Sequence, residues 1–256
     1  MFSYLAYQSN LIVLGVLFFI AIAGCIVAGT YVGNRQGRTH VETGFTVSQA
    51  AVLGLSGLIL AFSFNSAAAR FETRQSLIGE EAGAIETAYL RADLLPASKE
   101  APYREAMRAY VNQRIAEYSL GADQIALLTS WERNREAQTA LWKIGSSTAE
   151  NAPRNVELVL VVQALNQMFD AAQAEESALR NRVPGSILVL VVMVTLISAF
   201  LDGIGFAASG RRFVTGAMVA ILLTVVLTTI FDLDRPQQGF VRVDLTALRL
   251  QLQEMQ

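Results

Sequence analysis

Cysteine, histidine and lysine are all but missing from this chain of 256 residues, and charge of either sign is scarce. Cys25 is the only cysteine, so neither an intramolecular disulfide nor a zinc knuckle can form. Within an apolar run it reads as a small buried apolar residue. His40 is the only histidine. One histidine cannot build a His-based metal cluster, and in a short polar loop it reads as a solvated residue rather than a proton switch. Lys99 and Lys143 are the only lysines, and the formal net charge is −2. A chain of that balance has no basic face for nucleic acid. No Walker loop, G-x-G-x-x-G, H-E-x-x-H or G-x-S-x-G occurs, which argues against an enzyme and calls for no cofactor. No Lys or Arg precedes Arg35, so the start lacks the charged flank of a signal peptide and reads as a retained span.

Charged residues make up 16% of the chain, where soluble domains carry about 25%. The deficit is concentrated in four charge-free stretches, residues 1–34, 43–69, 183–201 and 213–231. A hydrocarbon core of about 30 Å takes roughly 20 apolar residues of helix, and these stretches match it. Lipid offers no partner to backbone N–H and C=O groups, so each stretch must be helical. Strands of a membrane barrel would alternate, and residues 187–194 do not. The chain therefore reads as an all-α polytopic membrane protein. Residues 1–69 hold helices 1 and 2, 70–182 a helical soluble insert, 183–231 helices 3 and 4, and 232–256 a tail. Phe2, Tyr4 and Tyr7 suit an interfacial start before span 1, at 11–29.

Helical spacing recurs through the insert. Leu77, Ile85, Ala88, Tyr89 and Ala92 mark one helix, stopped by Pro96. Tyr103, Met107, Tyr110, Val111, Ile115 and Tyr118 mark a second, ended by Gly121. Ile125, Leu128, Trp131, Leu141 and Trp142 mark a third, expected to end near Gly145. A fourth starts after Pro153 and runs to Arg182, and its all-apolar stretch 158–162 is expected to be buried. Two adjacent carboxylate pairs, Glu80-Glu81 and Glu175-Glu176, point about 100° apart on a helix and read as solvated faces. Four spans place both termini and the insert on one side. Arg70, Arg74, Arg180, Arg182, Arg235 and Arg242 lie near the membrane on that side, against Arg35, Arg38, Arg211 and Arg212 on the other. The excess favours a cytoplasmic insert in an inner membrane.

Span 2, about 47–69, carries the pattern with functional content. Leu55, Leu58, Phe62, Asn65 and Ala69 share one face, with Gly54, Gly57, Ala61 and Ala68 on a neighbouring small-residue face. An amide in the membrane must face protein or water, so Asn65 and Ser66 read either as interhelical glue or as polar groups lining a pore. On the second reading Leu58 and Phe62 form an apolar neck. Past span 4, Asp232 and Asp234 are too few for a calcium site, which takes about 6–8 oxygens. Pairing with Arg70 or Arg235 is the expected role.

The run Leu58, Phe62, Asn65, Ala67, Arg70 and Phe71 resembles the inner end of the second span of bacterial bestrophins. The insert start, from Glu80-Glu81-Ala82 to Leu94-Leu95-Pro96, and the tail motif Leu233-Asp234-Arg235-Pro236 resemble a bestrophin-like family of membrane proteins. The resemblance implies four spans per subunit, a cytoplasmic helical domain and pentameric assembly around a pore lined by span 2. It places the neck at Leu58 and Phe62, and makes Arg70, Phe71, Asp232, Asp234 and Arg235 a juxtamembrane motif. Gly54 one step up would leave the neck wider. Ala68 and Glu72 stand where bestrophins often carry aromatics, and the acidic calcium clasp of animal bestrophins is not reproduced beyond Asp232 and Asp234. The implied partners are the lipid bilayer, further copies of this chain and inorganic ions. The alternative function is a non-conducting membrane scaffold or sensor whose insert binds a protein.

Overall fold

A computed structural model describes residues 10–35, 43–121, 124–151, 156–207, 212–235 and 239–256. Phe2, Tyr4, Tyr7, Arg38, His40, Pro153, Arg211 and Pro236 lie outside the described residues. Among those described there are helices and no strand. The α-helices are α1 (Leu11–Arg35), α2 (Thr43–Leu90), α3 (Ala97–Glu117), α4 (Gln124–Asn151), α5 (Val156–Arg180), α6 (Gly185–Phe206), α7 (Arg212–Leu233) and α8 (Thr246–Glu254), with a 3₁₀ turn at Arg91–Leu94. Four helical segments among the described residues are long and apolar enough to cross a membrane, Leu11–Arg35, Val47–Leu94, Val156–Phe206 and Phe213–Leu233, and each overlaps one of the four charge-free stretches.

Two compact units account for the fold. One comprises the described residues of Met1–Arg70, Val183–Arg235 and Gly239–Val241; the other comprises those of Phe71–Arg182 and Arg242–Gln256.

In the first unit α1 packs on α6 and α7, and α6 on α7. Apolar attraction between helices is absent in lipid, so close backbone approach has to supply the cohesion. Glycine supplies it here. A Cβ on Gly29 would sit 2.0 Å from the Phe200 carbonyl oxygen, and one on Gly203 would sit 2.2 Å from that of Ile26. Lower in α1, Phe18 meets Phe231 of α7 with ring centroids 5.2 Å apart. Polar bonds tie α2 to α6: Gln49 Nε2 donates to the Leu201 carbonyl at 3.0 Å, and the Ser56 and Ser198 hydroxyls meet at 2.5 Å. The helix starts are local and conventional. Asn10 Oδ1 accepts the Ile12 N–H at the head of α1, and the Pro184 carbonyl accepts those of Ile187 and Leu188 at the head of α6.

The second unit is a helical bundle with one apolar core, to which Ile78, Ile85, Tyr103, Met107, Tyr110, Leu141, Leu165 and Leu248 contribute. Leu95 is extended, as a residue before proline prefers, and Pro96 opens α3. Gly121 takes a positive φ of 64° in the turn after α3. The short α8 lies on α3, and Tyr89 and Arg108 both donate to the Met255 carbonyl at 3.0 Å.

Three expectations need correcting. The third insert helix does not end near Gly145: α4 continues to Asn151, and Gly145 sits inside it where a Cβ would come 3.0 Å from Leu165 Cδ1. The glycine serves the approach of α5 rather than a stop. The buried stripe of α4 is Leu127, Trp131, Asn134 and Leu141, while Ile125, Leu128 and Trp142 face outward. The stretch 158–162 is not buried on all sides either. Leu158 and Val161 are inside, and Val159 and Leu160 are exposed, because a helix packed on one side of a bundle hides only one stripe whatever its composition.

Candidate functional site

The face of α2 in the membrane-type unit divides cleanly. Ser56, Leu60, Ser63 and Ala67 are buried at helical spacing against the chain's own helices. Leu58 (51% exposed) and Phe62 (66%) point away from them, as do Leu55 and Asn65; Ser66 is half-buried. The serines on the packed side close back onto their own helix, Ser56 to the Val52 carbonyl and Ser63 to the Ile59 carbonyl, so they carry no open hydrogen-bonding need. No atom of a neighbouring side chain or helix comes within 4 Å of a Cβ built on Gly54 or Gly57. Among the described residues, the Gly54–Gly57 part of the small-residue face that reads as a packing surface is thus unoccupied within one chain.

The juxtamembrane residues divide between two roles. Asp232, Asp234 and Arg235 are buried. Asp232 accepts the N–H groups of Phe240 (2.9 Å) and Val241 (3.1 Å), and Asp234 accepts that of Val183 (3.1 Å). The described bonds of both carboxylates therefore fasten backbone segments where α6 begins and where the chain leaves α7. Gly239 is required beside this fastening, since a Cβ there would overlap Asp232 Oδ1 at 1.8 Å. Arg70 ends the first unit's share of α2. Phe71, in the second unit, is partly buried against that unit's core.

The third feature was not legible by sequence. Glu81 and Glu175 are fully buried, which overturns their reading as solvated faces; Glu80 is exposed and Glu176 partly so. The 100° between adjacent helical positions is what turns one member of each pair inward and the other out. Between the two buried carboxylates lies Arg114 of α3. It donates from Nε and Nη2 to both oxygens of Glu81 (2.7 and 2.9 Å), from Nη1 to Glu117 (2.7 Å) and from Nη2 to Glu175 (2.8 Å). Tyr110 donates to Glu81, and Trp131 and Asn134 of α4 donate to the two oxygens of Glu117 at 2.7 and 2.6 Å. The Tyr118 hydroxyl closes tightly on the remaining oxygen of Glu175. Every one of the six carboxylate oxygens has a donor. Burial pushes the Glu175 carboxyl above the usual range, against the pull of Arg114 and the Tyr118 bond. Burial, reinforced by the Glu175 charge, pushes the Tyr118 phenol well up. A cavity of about 360 Å³ opens beside the cluster; Arg114, Trp131 and Asn134 form part of its wall.

An all-helical polytopic membrane protein with four spanning helices is the class this architecture defines. The Bestrophin-like domain family matches residues 15–248, and the chain belongs to it. Solved structures of a bacterial bestrophin homologue from Klebsiella pneumoniae share the fold. One variant superposes with a TM-score of 0.71 at 12% identity, covering 97% of this chain and 96% of that one. A second variant gives 0.68 at 13% identity, over 93% and 98%. The structure of that homologue phased on zinc gives 0.68 at 14% identity, over 95% of each. Comparison with curated proteins yields no match.

Proposed function

We propose that this chain forms an oligomeric ion channel of the inner membrane, pentameric as the resemblance to bestrophins suggests, with its insert and termini in the cytoplasm. In this reading α2 lines a central pore, Leu58 and Phe62 form an apolar neck and Asn65 and Ser66 give a polar stretch below it. The observation that carries it is the common outward face of Leu58, Phe62 and Asn65. The opposite side of α2 is occupied by the chain's own helices. A face that places an amide in line with a leucine and a phenylalanine is poorly suited to acyl chains, where a polar group is costly. It suits an axis shared with other copies, where water meets the amide and apolar rings can control wetting. Gly54 and Gly57, open along the same exposed arc, leave room for a neighbouring copy's helix.

Planar-bilayer recording of purified protein tests the reading. Wild-type protein should conduct, and Phe62→Ala should enlarge the unitary current by widening the neck. Silence of both proteins over several salts and pH values refutes conduction and leaves the non-conducting scaffold. Currents indifferent to Phe62→Ala and Leu58→Ala refute the assignment of the neck.

A further inference from the structure

Buried charge in the soluble-type unit does not balance. Arg74 and Arg114 contribute two positive charges, and Glu81, Glu117 and Glu175 would together contribute three negative ones if all were ionised. The five side chains are almost wholly inaccessible, Arg74 at 1%, Arg114 at 2% and the three glutamates at 0%, and the described bonds of Arg74 go to the Ala178 and Asn181 carbonyls. An excess of one negative charge at such a site is held in low dielectric, where an unpaired charge costs several kcal/mol and a carboxyl instead takes up a proton.

A cation is one way to restore balance, and the geometry disfavours it. The guanidinium fills the centre of the three carboxylates, and no group of three or more acidic, histidine or cysteine side chains among the described residues is arranged to hold a metal ion. The proton is the other way, and the bonding pattern picks its seat. Glu81 is clasped at both oxygens by Arg114. Glu117 takes Arg114 and the two neutral donors of α4. Glu175 has a single bond to the guanidinium, and its other oxygen faces only the Tyr118 hydroxyl, in a very close contact. A phenol can accept as readily as donate. The Tyr110 hydroxyl also meets Glu81, at 3.3 Å, but on an oxygen that Arg114 Nε already holds, so Glu175 is the carboxylate with an oxygen whose sole described partner is a hydroxyl able to accept.

We propose that Glu175 is a proton-binding site, loaded by solvent through the adjoining cavity, and that its proton sets how firmly α2, α3 and α5 hold together in this unit. The groups facing it are Glu81 of α2 and Arg114, Glu117 and Tyr118 of α3; from α4 come Trp131 and Asn134, held on Glu117. Arg135 and Arg180 line the cavity mouth, with Glu176 paired to Arg180. Tyr110 faces Glu81 from α3, on an oxygen shared with Arg114. The sign follows from the raised carboxyl. Its stabilising contribution is complete at low pH and is lost as pH climbs through the folded-state value, which lies above that of an ordinary glutamate.

Infrared difference spectroscopy of the full-length protein in detergent, labelled with ¹³C-glutamate, tests this directly. At about pH 6 ordinary glutamates, with pKa about 4.3, are ionised. The wild-type protein should still show a labelled protonated-carboxyl stretch that disappears on raising the pH. Glu175→Gln should abolish it, whereas Tyr110→Phe, which removes the hydroxyl on Glu81 without changing the charge of the cluster, should leave its frequency unchanged. If Glu175→Gln does not fold, Tyr118→Phe serves, because loss of the hydrogen-bond partner must shift the band. Absence of any labelled band at about pH 6, its persistence in Glu175→Gln, its shift in Tyr110→Phe, or its indifference to Tyr118→Phe would each overturn the assignment.

Discussion

Replacing Arg114 by Met removes the cation that bonds all three carboxylates of the buried cluster while keeping much of the side-chain volume. Four hydrogen bonds to three carboxylates disappear together. The Glu81 oxygen that faces Nη2 and the corresponding oxygen of Glu175 lose the one donor described for each. Removing one partner of a buried ion pair costs about 3–5 kcal/mol, and domains of this size are stable by about 5–15 kcal/mol. The variant should therefore retain only a fraction of the unit's stability. At roughly 2–4 °C per kcal/mol, the midpoint should fall by roughly 6–20 °C. The assay is simple because Trp131 and Trp142 are the only tryptophans and both lie on α4, so tryptophan fluorescence during heating in detergent reports this unit. Acid should narrow the gap between variant and wild type, since a neutral carboxyl needs no counter-charge. A midpoint within about 2 °C of wild type at neutral pH, or a deficit of equal size at acidic pH, would refute the electrostatic reasoning.

The remaining predictions concern the membrane-type unit. Gly203→Ala drives a methyl into the Ile26 carbonyl, which is backbone and cannot swing aside, so it should cost about 1–3 kcal/mol or more and lower the yield of folded protein on size exclusion. Gly54→Ala meets nothing in its own chain, so an effect on particle size without loss of the folded subunit would mark Gly54 as a contact between copies; a folded, unchanged oligomer would show that position to be open there too. Asp232→Asn gives up two charge-assisted bonds from Phe240 and Val241. It should cost about 1.5–3 kcal/mol and speed proteolytic cleavage after α7, while unchanged cleavage would show the fastening to be dispensable.

Much of this fold could be read before any coordinates, because lipid imposes a single solution on a long uncharged run. Each of the four stretches supplies the body of one spanning helix for that reason. Patterns inside the insert were harder. Amphipathy located the core face of α3 from Tyr103 to Tyr118, but on α4 the outward Ile125, Leu128 and Trp142 obscured an inward stripe that includes Asn134. Gly145 signals a stop only when its neighbour is unknown; beside Leu165 it is a point of approach. The buried cluster had no local signature at all. Glu81 and Glu175 meet Arg114 across 33 and 61 residues, and a carboxylate beside another on a helix looks equally solvated whichever of the two turns inward. The outward stripe of α2 was visible from spacing, whereas its surroundings depend on other molecules and are written in no single chain.

The glycine crossing between α1 and α6 also bears on synthesis. Helix α1 leaves the ribosome some 170 residues ahead of its tight partner α6, since Ile26 and Gly29 fit against Phe200 and Gly203. Until that stretch emerges, the nascent subunit presents an incomplete glycine groove to the bilayer. Chains cut short before α6 lack Phe200 and Gly203 and therefore keep that groove open.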